Sequence, residues 1–153
     1  MDLRELDRGE ITAALGGALI FVSLFLGWYH LHNSSAILHS CRGAGITCTG
    51  WHSLEFVRYP LVVAAAAPLV LIFVVVRGTS LGWPKGELTA VIALCALTLI
   101  VFRGIIDKPG YPTGEIGLGI GWFIALIGGL LMFLGAVTRA NESNVRRNPP
   151  GVL

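Results

Sequence analysis

The residues with chemistry to offer crowd into one stretch. After Leu31 the chain reads HNSSAILHSCRGAGITCTGWHSLE, which holds Cys41, Cys48, His32, His39 and His52, with His30 at its edge. Two thiols this close can join as a disulfide. The short ring over RGAGIT would contribute about 2–3 kcal/mol by the chain-entropy model. Thiolate and imidazole are also the ligands that zinc and copper prefer. The spacing argues against a metal: Cys41 and Cys48 stand too far apart for a zinc knuckle, and a helix continued through His32 would aim His30 and His32 to different sides. Thiol-redox catalysis needs a Cys-x-x-Cys of depressed pKa, and none is present. The remaining cysteine, Cys95, falls inside an apolar stretch. The expectation is a structural Cys41–Cys48 disulfide, with no metal and no cofactor.

A second group of residues flanks the apolar stretches. Glu55, Arg58, Arg103, Asp107, Lys108 and Glu115 fall at one level of the chain's expected layout. Arg103 can pair with Asp107 four residues on. Such charges anchor helix ends at a membrane surface, or they line a small outward polar pocket built from Glu55, Arg58, Arg103, Asp107 and Glu115. No acid or histidine falls at mid-span, so a proton relay has no residue to carry it. No phosphate-binding, dinucleotide, zincin, serine-hydrolase or kinase pattern occurs. Nor does an aromatic and basic surface for nucleic acid.

The elements that must position these groups follow from composition. Of 153 residues, 54% are hydrophobic and 13% charged, against about 25% charged in a soluble domain, and mean hydropathy is +0.74. Four apolar stretches, at 11–31, 56–76, 88–106 and 116–137, each approach the ~20 residues that cover a ~30 Å hydrocarbon core. Backbone groups in lipid must pair within their own segment, so the spans are predicted as helices. The predicted fold is an all-α membrane protein, a four-helix transmembrane bundle over 11–137 with a loop at 32–55. A short segment at 1–10 precedes it and a disordered tail at 138–153 follows. The opening MDLRELDRGE lacks a positive n-region, so the first span is expected to stay as an anchor.

Sidedness comes from lysine and arginine near the span ends. One side carries Arg4, Arg8, Arg77, Lys85, Arg139, Arg146 and Arg147, the other Arg42, Arg58, Arg103 and Lys108. The richer side, with both termini, is expected to be cytoplasmic. This puts Cys41 and Cys48 outside, where disulfides persist. Small residues let helices approach closely in lipid, and Gly117, Gly121 and Gly128 are the expected packing positions.

The order of features resembles a family of small four-helix integral membrane proteins of actinobacteria, to which no activity is attached. The likeness rests on Trp51-His52-Ser53-Leu54-Glu55-Phe56 before the second span and on the turn Phe102-Arg103-Gly104-Ile105-Ile106-Asp107-Lys108-Pro109. The Gly-rich opening of the fourth span, Gly117-Leu118-Gly119-Ile120-Gly121, completes it. The resemblance implies a multi-pass plasma-membrane protein. The expected function is non-enzymatic, an accessory or assembly subunit or envelope scaffold, whose partners are the lipid bilayer and another membrane protein or a second copy. The alternative is a small-molecule or lipid-handling protein using the outward pocket.

Overall fold

The computed structural model describes residues 8–33, 35–38, 41–77 and 85–147. His39 and the ends of the chain at 1–7 and 148–153 lie outside them. The fold is mostly helical: α1 (Arg8–Ser23), the short α2 (Gly50–Ser53), α3 (Arg58–Val76), α4 (Lys85–Val101) and α5 (Ile120–Arg147). Five short strands join them: β1 (Gly27–Leu31), β2 (Ile37–Leu38), β3 (Cys41–Arg42), β4 (Thr47–Thr49) and β5 (Ile116–Leu118). Two helical stretches, Glu87–Ile106 and Ile120–Asn141, are long and apolar enough to cross a bilayer. The first includes a π-helical turn, Phe102–Ile106, that ends α4.

Three boundaries differ from expectation. The apolar run 11–31 is not one helix: α1 stops at Ser23 and Gly27–Leu31 is a strand. The run 116–137 likewise opens as strand, because Ile116, Gly117 and Leu118 pair with Leu31, His30 and Tyr29. Short apolar runs rich in aromatic or β-branched residues serve either conformation, and here strand partners decide it. At the other end α5 continues through Arg147, so the first part of the expected disordered tail is helical. Helix-forming Arg, Ala and Glu in TRANESNVRR permit that extension.

The four long helices form a ring. α1 packs between α5 and α3, and α4 packs between α5 and α3. The α1–α5 contact is antiparallel and runs along a seam of small residues. Gly9, Gly16 and Ser23 recur every seventh position on α1, as Gly121, Gly128 and Gly135 do on α5. A seven-residue repeat keeps the same two helix faces together along their length. A Cβ on Gly128 would sit 2.8 Å from the Gly16 carbonyl oxygen, and one on Gly135 would sit 2.6 Å from that of Gly9. A Cβ on Gly121 would come 3.0 Å from the Ser23 carbonyl oxygen. On another face of α1, Gly17 approaches α3, where its Cβ would meet the Ala65 carbonyl oxygen at 2.5 Å and Pro68 Cγ at 2.9 Å.

At one end a β cap closes the ring. β1 is central in an antiparallel sheet of order β4-β1-β5, so it ties the end of α1 to the start of α5. The β2–β3 hairpin lies beside it, and Ile37 exchanges two 3.0 Å backbone hydrogen bonds with Tyr111. Trp28, Tyr29, Leu31, Leu38, Leu54 and Ile116 are fully buried in the core shared by cap and helices.

Candidate functional site

The cap end gathers most of the expected site residues, in two separate clusters. The first is built where α4 ends. The π turn carries Arg103, and its Asp107 backbone N–H reaches back to the Phe102 carbonyl at 2.8 Å. The side chains of Arg103 and Asp107 form an ion pair. Tyr29, fully buried on β1, donates its hydroxyl proton to the Arg103 carbonyl at 2.8 Å. Burial pushes the Tyr29 phenol up from its ordinary range, which keeps it a neutral donor. Trp122 of α5 donates to the Ile100 carbonyl at 2.9 Å, and its indole lies against Gly104, a place that any Cβ would fill. These bonds fasten the end of α4 to both the sheet and α5. The Arg103 Nε is buried without a partner.

The second cluster stands at the start of α3. Arg58 donates to the Trp51 carbonyl at 3.0 Å and to the Tyr59 hydroxyl at 2.9 Å. Its guanidinium lies over both rings, 5.1 Å from the Trp51 centroid and 4.9 Å from that of Tyr59. Such cation–π contacts hold a charge without cancelling it. The Arg58 Nε is buried and has no hydrogen-bond partner. Trp51 also stacks on Phe25, 5.6 Å between centroids, and Phe25 meets Phe21 edge-on at 5.4 Å. Glu55 is exposed on the turn before α3, with φ of 23°. Glu115 contributes its carbonyl, which accepts the His32 backbone N–H at 3.0 Å. Arg58 and Arg103 thus engage different partners.

Cys41 and Cys48 form a disulfide, Cα to Cα 6.3 Å. The turn it encloses places Gly43 at φ 115° and Gly45 at φ 75°, conformations that favour glycine. Because the chain is extended through β1 and into His32 just beyond it, His30 and His32 fall on one side and their rings meet edge-on, 5.2 Å apart. That corrects the divergent placement a helix would impose. Gly117 lies in β5 against His32 rather than in a helix seam. Cys95 faces outward on α4. Among the described residues, no group of three or more His, Cys, Asp or Glu could hold a metal ion.

Sequence reasoning missed a buried pair at the far end. Glu10 of α1 and Arg139 of α5 form an ion pair at 2.6 Å, with the Glu10 side chain 4% exposed. They border a cavity of about 10 Å³ that Gly9, Ala13, Pro68, Thr89 and Gly135 also line, so all four long helices reach it. The second Glu10 carboxylate oxygen, Oε2, is buried without a partner. Glu10 adjoins Gly9 and Arg139 lies one helical turn past Gly135, so the pair sits at the end of the glycine seam.

No protein-family model, curated protein or solved structure matches this chain.

Proposed function

We propose that this chain is a non-enzymatic, multi-pass protein of the plasma membrane that acts as an accessory or assembly subunit or envelope scaffold. In this reading α1, α3, α4 and α5 form a four-helix transmembrane bundle, both termini are cytoplasmic, and the β cap stands outside. The resemblance to the actinobacterial family belongs to the same proposal.

The observation that carries it is the construction of the cap. A sheet, a disulfide and a fully buried Trp28–Tyr29 core fix its backbone, yet Ile37, Ile46 and Tyr111 remain exposed on it, Tyr111 to 80%. A rigid platform with apolar side chains loses little entropy when it docks against another protein. Its buried Tyr29 is engaged in holding a helix end, where its hydroxyl reaches the Arg103 backbone.

The test is site-specific photo-crosslinking in intact cells. A photoreactive residue at Tyr111 or Ile46 is expected to capture one discrete protein, while one at Leu130, exposed on α5, is expected to capture none. Capture of no protein from any cap position overturns the subunit reading. One observation favours the lipid-handling alternative: an apolar groove lies between α1 and α3, and Arg58 stands one helical turn beyond Val62 of its wall.

A further inference from the structure

Between α1 and α3 lies an open groove of about 300 Å³. Its walls include Ala18, Phe21 and Val22 of α1 and Val62, Ala66 and Leu69 of α3. The lining is almost wholly apolar, and Phe21, Val22 and Leu69 are each about half exposed along its rim. On α3 the positions 58, 62, 66 and 69 follow helical spacing, so Arg58 stands on the stripe that forms the groove wall, one turn beyond Val62. Phe21 at the end of α1 touches Phe25 in the turn that follows, Phe25 stacks on Trp51 of α2, and the Arg58 guanidinium lies over Trp51.

We infer that this groove is a binding site for one membrane phospholipid with an anionic headgroup, its acyl chain in the groove and its phosphate at Arg58. Three features select that occupant. The stripe from Leu69 to Arg58 rises roughly 16 Å at 1.5 Å per residue, which is close to one leaflet, half of the ~30 Å core. It ends at Leu69, part-way along α3, where an acyl chain ends and a transmembrane partner helix would continue. The polar end is a guanidinium, whose planar fork suits phosphate. Its acceptors, the Trp51 carbonyl and the Tyr59 hydroxyl, are neutral and fix its position without removing its charge. Glu55, on the preceding turn, opposes an anion there, so Glu55→Gln is expected to strengthen binding.

The inference rests on the membrane-spanning reading, and one experiment separates the two. The full-length chain is reconstituted with equal amounts of phosphatidylglycerol and phosphatidylcholine of the same chain length, and bound lipid is counted by native mass spectrometry. The wild type is expected to retain one phosphatidylglycerol per chain, preferred about tenfold, the scale of one charge-assisted contact. Ala18→Leu with Ala66→Leu, both at exposed positions, fills the groove and is expected to abolish retention of either lipid. Arg58→Gln should erase the preference, and Arg58→Lys should keep most of it. A wild type that retains no lipid, that shows no preference, or that is unaffected by the leucines overturns the inference. So does a second protein chain displaced by the leucines. If lipid is absent but the native chain still leaves cell membranes only in detergent, the groove assignment alone fails; release by alkaline carbonate overturns both.

Discussion

α1 meets its two neighbours through the same kind of residue with opposite results. Toward α5, glycine and serine at every seventh position oppose glycines at every seventh position, and backbone meets backbone along the helix. Toward α3, the close approach of Gly17 to Ala65 is flanked by an open groove lined by Phe21, Val22, Val62 and Leu69. Small residues alone do not seal an interface. They do so when their period matches that of the helix pair, and at a local cluster such as Ala64–Ala67 close contact stands beside a gap. The sealed face holds the bundle together, and the open face is available to a ligand.

Substitutions can break or sharpen that contrast. The largest effect is expected from Gly128→Leu, where backbone atoms of Gly16 and Ile20 lie 2.8 and 3.0 Å from the new Cβ. Backbone cannot step aside as a side chain can, so thermal unfolding in detergent should show a loss of about 3 kcal/mol or more. Arg139→Gln is next. It leaves the Glu10 carboxylate buried without its partner, at a cost of about 3 kcal/mol. Adding Glu10→Gln should restore most of that, and a double-mutant cycle measures how much. Cys41→Ser opens the ring spanning a sequence separation of 7. The expected loss is about 2.5 kcal/mol, and reductant should produce the same change in the wild type and none in the variant. The smallest effect belongs to the open face. Ala18→Leu should shift stability by less than about 0.5 kcal/mol, and a loss as large as that of Gly128→Leu would mean that the groove is packed rather than open.

Much of the helical framework was legible from the long apolar runs: α3 falls within the stretch that hydropathy marks, while α4 begins three residues before its stretch and α5 runs ten residues past the end of its own. The cap was not. Gly27-Trp28-Tyr29-His30-Leu31 continues an apolar run, and only its pairing with Thr47–Thr49 and Ile116–Leu118 makes it a strand. Pairing between distant segments leaves no mark in either one. The disulfide was legible from two nearby cysteines, and the Arg103–Asp107 pair from helical spacing. The Glu10–Arg139 pair was hidden because its members come from opposite ends of the chain and each resembles an ordinary interfacial charge. The heptad of Gly121, Gly128 and Gly135 stood in plain view beside the shorter spacing of Gly117 and Gly121, but which spacing faces α1 depends on where α5 begins.

The central claim is a membrane bundle with its cap outside and its termini inside. Substituted-cysteine labelling in intact cells with an impermeant maleimide tests it directly, using Tyr111→Cys in the cap and Asn141→Cys near the end of α5, each in a Cys95→Ser background. The account predicts that Tyr111→Cys is labelled at once and Asn141→Cys only after permeabilisation. Equal labelling of the two, or the reverse order, would contradict it.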